Sequence, residues 1–321
     1  MRVFSYCPET DVSDWDSLIQ NSNNGVFLHS RKFLSYHKDR FVDRSLVFRD
    51  DKGKLIAVLP AAQDGANSSK VISHPGITYG GGIYRGRMAL NTVEEMIELA
   101  IEEYKQRGVA ELIYKCVPLH IQAKPAQLDE YLFWRKGATI VRRDLWNVIT
   151  LNGSRTLSKG RKWGVRKAQK NGLITEKTDS DDAYIGFHGL LTRCLDERHQ
   201  AEPIHSCEEM CTLRDMFSDQ ITLWTVRDND GHILAGAWMF MLGQIAWHTQ
   251  YIASNEEGRA CQAVDLLIES IIKTAEMERI NSFSFGASTE QQGKEFNAGL
   301  FNFKAGFGFG AILQDTYRFK I

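Results

Sequence analysis

The sequence predicts a mixed α/β protein in which two domains repeat one structural unit, and three observations lead to this prediction. The chain has 321 residues, about twice the usual domain length of roughly 100–200 residues. Hydrophobic residues make up 43% of the chain and charged residues 25%, which supplies packed cores and excludes disordered and fibrous proteins. The second half also repeats the order of strands and helices of the first. We therefore predict an N-terminal domain over residues 1–150 and a C-terminal domain over residues 151–321.

Helical and strand patterns alternate through the first half. Apolar residues at helical spacing predict helices, short runs of β-branched residues predict strands, and Gly and Asp mark the turns. Thr92 and Glu95 match a helix capping box. The predicted elements are a helix 13–20 capped by Ser13, a helical stretch 27–41, strands 46–48 and 55–59 joined by a turn at 50–53, a long helix from 91 to 108 and a strand 111–116.

The second half contains the same elements in the same order. The turn and strand that begin at Lys52-Gly53 return 178 positions later at Asp230-Gly231, and Val93 and Val264 open equivalent helices 171 positions apart. This half is predicted to hold an apolar strand over 233–242, a helix over 263–277 and a strand over 282–285. Two copies of a unit made of a hairpin, a long helix and a strand explain the pattern.

Charge and hydropathy exclude several classes of protein. The 39 basic and 40 acidic side chains give a net charge of −1, so a protein that mainly binds DNA is not expected. The longest apolar run has ten residues, about half a bilayer span of roughly 20 residues, and the first residues lack the apolar segment of a signal peptide. We therefore expect no membrane span and a cytoplasmic location.

The six cysteines show no paired CxxC spacing, so reduced thiols and no metal site are expected. Cys207 and Cys211 stand four apart on a predicted helix, which leaves metal binding as the minor alternative.

A basic segment follows the predicted domain boundary. It holds seven Lys and Arg side chains between Arg155 and Lys170, and no acidic residue occurs between Asp144 and Glu176. Such a segment either binds a phosphate-bearing carrier or forms a solvated helix face. Arg161 and Arg166 are the candidate substrate-binding residues, and Trp163 is expected to anchor the helix through an apolar side.

Residues 254–263 connect an apolar strand to the predicted helix 263–277. A turn that leads from a strand to a helix N-terminus presents free backbone N–H groups to an anion. A plain connection between strand and helix is the alternative interpretation. The candidate anion-binding residues are Gly258, Arg259, Ala260, Cys261, Gln262 and Ala263.

Two further segments have unusual compositions. Three consecutive glycines, Gly80 to Gly82, follow Tyr79, and they indicate close backbone approach either to a ligand or to a packed strand. Lys304 lies among the aromatic residues of segment 300–310, where an ammonium could meet developing negative charge or simply reach solvent. His248 lies among aromatic and apolar residues, as core histidines do. The sequence contains no GxSxG or Cys–His signature of covalent catalysis.

Several of these segments resemble the FemAB-like branch of the GNAT superfamily. Two of them are Tyr36-His37-Lys38-Asp39-Arg40-Phe41 and Phe303-Lys304-Ala305-Gly306-Phe307-Gly308; the others are residues 73–81, 157–161, 253–259 and 285–290. The resemblance spans nearly the whole chain. It implies two tandem GNAT-like domains, each a mixed, mostly antiparallel sheet flanked by helices, with the acceptor on the N-terminal side and the donor on the C-terminal side.

The resemblance also implies a reaction. An amine attacks the carbonyl of a donor thioester or ester directly, and the protein supplies alignment, a proton acceptor and oxyanion stabilisation. Lys304 matches the family's lysine near the reacting carbonyl. His248 is the candidate proton acceptor, and a relay through bulk water is the alternative. Residues 258–263 lie where GNAT enzymes hold the pyrophosphate of acyl-CoA, but they depart from the usual Gln/Arg-x-x-Gly-x-Gly/Ala pattern. On the acceptor side the matching residues are His37, Arg40, Tyr79 and Gly80.

The resulting hypothesis is an N-acyltransferase of cell-envelope polysaccharide biosynthesis. It moves an acyl group from acyl-CoA to the amine of an amino sugar or a related precursor, with no tightly bound cofactor. The acceptor is expected to be a small molecule, a nucleotide-sugar or a lipid-linked precursor. An aminoacyl-tRNA donor is the first alternative and is favoured by the basic segment. A non-catalytic member that binds an anionic carrier or a partner protein is the second.

Overall fold

The computed structural model describes residues 1–86 and 88–321. For Arg198 and His199 it describes the backbone alone. Two compact units are present. The first comprises Met1–Asp144 with Gln291–Glu295 and Leu313–Ile321, and the second comprises Leu145–Glu290 with Phe296–Ile312. The predicted ranges placed every residue after 150 in the C-terminal domain, whereas the end of the chain belongs to the first unit.

The strands and helices follow one another along the chain. In the first 150 residues they are β1 (Arg2–Ser5), α1 (Pro8–Gln20), α2 (Arg31–Leu34), β2 (Leu46–Arg49), β3 (Leu55–Leu59), β4 (Ala62–Gln63), β5 (Lys70–Ile72), β6 (Ile83–Tyr84), α3 (Leu90–Gln106), β7 (Glu111–Lys115), α4 (Leu128–Arg135) and β8 (Thr139–Thr150). In the remainder they are α5 (Lys159–Lys170), β9 (Ile174–Thr178), α6 (Asp181–His199), α7 (Cys207–Met216), β10 (Ile221–Arg227), β11 (Ile233–Leu242), β12 (Ala246–Ser254), α8 (Glu256–Ala260), α9 (Ala263–Met277), β13 (Ser282–Ala287), β14 (Thr289–Glu290), β15 (Glu295–Phe296), α10 (Ala298–Ala305) and β16 (Gly310–Lys320).

The first unit contains the predicted hairpin, helix and strand. Strands β1, β2, β3 and β6 form an antiparallel sheet, while β5 pairs parallel with β7 across the long helix α3. β7 also pairs antiparallel with residues 316–320 of β16. The apolar side of α3, with Val93, Ile97 and Tyr104, packs in the core of this unit together with Leu112 and Tyr317.

The second unit repeats this arrangement with six strands in the order β8-β13-β12-β11-β10-β9. Strands β10 and β11 form the hairpin, and β12 pairs parallel with β13 across α9. All other pairs in the unit are antiparallel. Ile268, Ile271 and Ile272 of α9 pack in its core with Trp247 and Phe283. The predicted class, a mixed α/β protein of two repeated units with mostly antiparallel sheets and flanking helices, is confirmed.

Two predicted helix starts are wrong. Helix α1 begins at Pro8 instead of Ser13, because proline at the first helical position and the acceptor Asp11, which binds the Cys7 N–H at 2.9 Å, start the helix earlier. Helix α3 begins at Leu90 without the predicted capping box. Its Glu95 instead accepts a hydrogen bond from the ammonium of Met1 at 3.0 Å. Among the described residues, no helix has both the length and the apolar character that crossing a bilayer requires.

The predicted helical stretch 27–41 is broken into short turns. Phe27–His29 is a 3₁₀ turn, α2 follows, and Ser35–Arg40 is again 3₁₀ with Lys38 at a φ of 51°. A positive φ is incompatible with a continuous helix. Aromatic side chains of this stretch contact one another across the extended residue Ser30, as Phe27 and Phe33 do at 5.5 Å between ring centroids.

Candidate active site

The parallel strands β12 and β13 separate inside the second unit. They pair through only three register positions, of which His248–Ser284 is the last. Beyond it, β12 stays paired with β11, and β13 continues along β8 after a bulge between Ser284 and Gly286. Side chains at the point of divergence therefore lie beside backbone groups that no neighbouring strand covers.

His248 is buried at this divergence. Its imidazole stacks on Trp146 with ring centroids 5.4 Å apart and an 18° angle between the planes, and its Nδ1 lies 3.2 Å from Ser284 Oγ. Burial and then the charge of Lys304 lower the pKa of His248 to about 4. The imidazole is therefore neutral at physiological pH.

Lys304 projects from α10 and is only 5% exposed. Its Nζ donates to the backbone oxygen of Ala287 at 2.5 Å and to that of Gly286 at 3.3 Å. Burial lowers the pKa of Lys304 to about 8. No carboxylate among the described residues lies within ion-pair distance of Nζ, so this ammonium can meet a new negative charge.

Neighbouring residues hold the bulge in place, and sequence reasoning missed them. Gly286 has a φ of 69°, a conformation that favours glycine, and its neighbour in β8 is Asn147. Asn147 is fully buried and accepts a hydrogen bond from Ser288 Oγ. Gly286 and Ser288 belong to the segment 285–290 that resembles the family, whereas nothing in the sequence near Asn147 or Ser284 indicates their positions.

The candidate anion loop forms the short helix α8 and a turn into α9. The N–H groups of Gly258, Arg259, Cys261 and Gln262 all donate to oxygens within the loop itself, at 2.7–3.2 Å. Gly258 is required by packing, because a Cβ at this position would lie 2.2 Å from the Leu234 oxygen. These four N–H groups are therefore engaged within the loop, as they are in a plain connection between strand and helix.

The charges around this loop are mainly acidic. Glu256 and Glu257 occupy the first turn of α8, and Asp265 occupies the first turn of α9. Burial raises the pKa of Asp265 to about 6, although the adjacent Arg161 opposes the shift. Arg161 forms an ion pair with Asp265 and lies 4.8 Å from the ring centroid of Phe303. This candidate substrate-binding residue thus ties α5 to α9 and α10.

The basic segment divides into an internal and an exposed part. Arg155 is buried in ion pairs with Glu269 and Glu276, and Arg161 pairs with Asp265. The other five basic residues, with Arg166 among them, lie on α5 and are exposed or half-buried; they are Lys159, Lys162, Arg166, Lys167 and Lys170. Trp163 is 57% exposed among them, so the prediction that it anchors the helix is wrong; Val165 and Ala168 are the buried side chains.

The candidate acceptor residues His37 and Arg40 lie together in the first unit. His37 is buried against Phe41 and His74, with ring centroids 5.1 Å and 5.5 Å away. Arg40 is exposed, and its Nε donates to the His37 oxygen at 3.3 Å. A cavity of about 440 Å³ opens beside His37 and His74, and its lining combines apolar side chains such as Phe41 with charged ones such as Arg31, Lys38 and Asp43.

Tyr79 and Gly80 belong to a loop that fills the divergence of β5 and β7. The Gly80 N–H donates to the Lys115 oxygen at 3.2 Å, and a Cβ on Gly80 would lie 1.8 Å from the Ser73 oxygen. Buried Lys115 donates through Nζ to the backbone oxygens of His74 and Ile77 in this loop. The glycines therefore allow close backbone packing. In the first unit this loop occupies the gap between the two parallel strands, whereas in the second unit the corresponding gap holds His248.

One group of ligand-type side chains lies close together in the hairpin turn between β10 and β11. Ligand atoms of Asp228, Asp230 and His232 are within 4.8 Å of one another. Asp228 accepts hydrogen bonds from the N–H groups of Asp230 and His232, so turn formation explains the arrangement. The six cysteines are free thiols.

Comparisons with known proteins agree with this architecture. No protein-family model matches the chain, and no curated protein matches it in sequence. Among solved structures, FemX superposes with a TM-score of 0.70 at 12% identity, over 100% of this chain and 98% of FemX. L-PGS from Bacillus licheniformis superposes with a TM-score of 0.62 at 12% identity, over 98% and 91% of the two chains.

A third solved structure is the tandem GNAT protein from the clavulanic acid biosynthesis pathway. Its TM-score is 0.53 at 13% identity, and 99% of this chain and 97% of that chain are covered. The chain has the FemAB-like tandem GNAT fold. Within this tandem GNAT fold, the second unit brings Lys304 and His248 together, while the first unit holds His37, Arg40, Tyr79 and Gly80 around one loop region.

Proposed function

We propose that the protein is an acyltransferase that moves an acyl or aminoacyl group from an activated ester to the amine of a cell-envelope precursor. The observation that carries the proposal is the buried Lys304 ammonium, held by the oxygens of Gly286 and Ala287 at the divergence of β12 and β13. A cation without a carboxylate partner in a low-dielectric site stabilises the negative charge that acyl transfer develops.

The reaction follows from this geometry. The amine nitrogen attacks the carbonyl carbon, the electrons of the C=O bond move to its oxygen, and Lys304 stabilises that oxyanion. The oxygen or sulfur of the donor then leaves, and the proton of the amine passes through water to the leaving group. His248 is a poor proton acceptor because burial lowers its pKa to about 4.

An aminoacyl-tRNA is the donor that the surface charges favour. The exposed side of α5 carries Lys162, Arg166 and Lys170 beside the exposed Trp163. Basic side chains bind nucleic-acid phosphates, and an exposed indole can stack on a base. The loop predicted to hold a CoA pyrophosphate instead engages its own N–H groups and carries Glu256 and Glu257.

Acyl-CoA is the second candidate donor. Helix α9 has 15 residues and begins at Ala263 after α8 and a turn, and the N-terminus of a helix presents backbone N–H groups to a phosphate. In both cases we assign the donor to the second unit, residues 145–290 and 296–312. We assign the acceptor, an amino sugar or a nucleotide- or lipid-linked precursor, to the first unit with His37 and Arg40.

A transfer assay with two donor classes tests the proposal. The purified protein is incubated with radiolabelled aminoacyl-tRNAs or with an acyl-CoA panel, and with nucleotide-linked and lipid-linked amino acceptors. We expect the label to appear in the acceptor. We also expect ribonuclease treatment of the donor to abolish this transfer. Transfer that survives ribonuclease and requires acyl-CoA would establish the second candidate, and no transfer with either class would refute the enzyme.

Charge reversal on α5 separates the donor site from the catalytic group. Lys162→Glu combined with Arg166→Glu should raise KM for aminoacyl-tRNA at least tenfold and leave kcat nearly unchanged. The matched control, Lys52→Glu with Lys105→Glu in the first unit, should change neither constant. If the protein is instead a non-catalytic member that binds its carrier through α5, Lys304→Met should preserve carrier binding and cellular function. The α5 variant should then abolish both.

A further inference from the structure

We propose that His248 is a catalytic hydrogen-bond donor through Nε2–H and that Ser284 is the positioning residue that holds this tautomer. The part of the inference that concerns the reaction rests on the proposed acyl transfer. The tautomer itself follows from the hydrogen bonds of three neighbouring groups.

The Ser284 hydroxyl takes part in two hydrogen bonds that together determine the tautomer of His248. The Gly286 N–H donates to Ser284 Oγ at 3.2 Å, so one lone pair of the hydroxyl is already engaged. The same Oγ lies 3.2 Å from His248 Nδ1, and Ser284 is fully buried. The hydroxyl has one hydrogen, and Nδ1 is the only acceptor for it among the described residues.

The opposite tautomer leaves this hydrogen without a partner. If Nδ1 carried the proton, it would donate to Ser284 Oγ, and the Ser284 hydroxyl would have no acceptor in a buried position. An unsatisfied buried donor costs about 1–3 kcal/mol. Ser284 therefore donates to Nδ1, and the neutral imidazole of His248 carries its proton on Nε2.

The surroundings also fix the plane of the ring. Trp146 stacks on one face with an 18° angle between the planes, and a Cβ on Gly286 would lie 3.3 Å from His248 Cε1. Nε2 has no hydrogen-bond partner in the part of the chain that the structure describes. An oriented N–H donor is thus available to a bound molecule, near the Lys304 charge that acts on the same imidazole.

In the proposed reaction, this donor and Lys304 both stabilise the oxyanion. When the amine adds to the donor carbonyl, the oxygen that becomes negative accepts a hydrogen bond from His248 Nε2–H and the charge of the Lys304 ammonium. No proton moves to or from His248 at any step. The residue that sequence reasoning assigned as proton acceptor is therefore assigned here as an electrostatic partner of Lys304.

Nitrogen NMR of the resting protein tests the tautomer without any substrate. With ¹⁵N-labelled histidine, Nδ1 of His248 should resonate as an unprotonated nitrogen and Nε2 as a protonated one, with no change between pH 6 and 8. Ser284→Ala should yield a mixture of tautomers. A protonated Nδ1 in the wild-type protein would overturn the proposal, whatever the outcome of the transfer assay.

A pair of amide substitutions tests the role in transfer. In His248→Gln the side-chain amide reaches the position of Nε2 and still donates, whereas in His248→Asn it reaches only the position of Nδ1. Neither amide can act as a base. We expect His248→Gln to retain kcat within about tenfold and His248→Asn to lose about 10²–10³-fold, with Lys304→Met serving as the activity-null control. If both variants have the thermal stability of the wild type and lose kcat equally, the donor role is refuted.

Discussion

At the scale of single residues, burial rather than charge pairing decides ionisation around both divergence points. Burial is the main cause that lowers the pKa of Lys304 to about 8, of Lys115 to about 7 and of His248 to about 4. Each of these side chains is held by backbone oxygens, a hydroxyl or a stacked ring instead of a carboxylate. The two lysines therefore titrate nearer to physiological pH than exposed lysines do, whereas His248 stays neutral there.

The rate of transfer should show this sensitivity at Lys304. The ammonium is present below its pKa of about 8 and is lost as the pH rises through that value, so oxyanion stabilisation falls on the alkaline side. We expect kcat to decline above pH 8 in the wild-type protein. In Lys304→Arg the guanidinium stays charged, and the alkaline decline should disappear even if the maximum rate is lower. The check is a pH–kcat profile of both proteins, and equal declines would exclude Lys304 as the titrating group.

Stability should depend on pH through a buried carboxyl group in the first unit. Burial raises the pKa of Asp129 from 3.8 to about 6, while a hydrogen bond from Tyr114 partly opposes the shift. A raised carboxyl pKa means that the folded state prefers the protonated form, so stability is full below about pH 4 and falls as the pH rises through 6. The loss amounts to about 3 kcal/mol.

Asp129→Asn should remove this loss. The Asn oxygen still accepts from Tyr114, and no buried charge can form, so the variant should lose less stability than wild type between pH 4 and pH 7; its NH2 group, in the place of the unpartnered Oδ1, lowers stability equally at both pH values. Urea unfolding at both pH values measures the difference. Asp39→Asn at an exposed position is the matched control and should follow the wild-type curve. A variant that loses as much stability as wild type between pH 4 and pH 7 would show that Asp129 does not cause the loss.

At the scale of elements, close contact between helices restricts which residues can stand on α5. Gly164 faces α9, and a Cβ there would lie 1.8 Å from Asp265 Oδ2, whose side chain is held by Arg161 and cannot move away freely. Gly160 on the same helix has only Ser158 Oγ near, at 4.0 Å. One glycine is thus required by packing and the other is not.

Alanine substitutions at these two positions should therefore have opposite signs. Gly164→Ala should destabilise the protein by about 1–3 kcal/mol through overpacking. Gly160→Ala should stabilise it by up to about 1 kcal/mol, because alanine has the higher helix propensity. Chemical denaturation of both variants measures the difference. Equal effects would mean that α5 is not packed tightly on α9.

Elements with strong local patterns could be predicted from the sequence. The strand Leu55–Leu59, the apolar strand β11 and the helix α9 occur as predicted, since alternating or helical apolar spacing and flanking Gly or Asp determine them locally. The stretch 27–41 could not, because extended backbone at Ser30 and a positive φ at Lys38 divide it into short turns, which the spacing of its apolar residues does not indicate.

At the scale of the whole molecule, the end of the chain completes the first unit. Residues 313–321 belong to that unit, where Tyr317 pairs with Tyr114 of β7 and is part of the core. Phe319 lies 5.9 Å from the ring of Phe133 in α4. A cut of the sequence at residue 150 therefore removes a strand from the first unit.

Deletion of residues 313–321 should destabilise the first unit selectively. Amide hydrogens of β7 lose their antiparallel partners, so their exchange should accelerate by orders of magnitude, whereas the β10–β11 hairpin should exchange as in the intact protein. Hydrogen-exchange mass spectrometry measures both regions at once. Unchanged protection of β7 would show that β16 is dispensable there.

The sequence by itself determined the repeat, the apolar strands, the helix α9 and the prominence of Lys304, because each depends on residue types at short spacing. Only the tertiary structure decided that Ser284, Gly286 and Lys304 meet at His248, that two of the seven basic side chains of segment 155–170 form internal ion pairs, and that the last strand belongs to the first unit. These outcomes depend on strand register and helix packing between residues far apart in the chain, and a local pattern carries no record of which distant group will satisfy a buried hydrogen bond or charge.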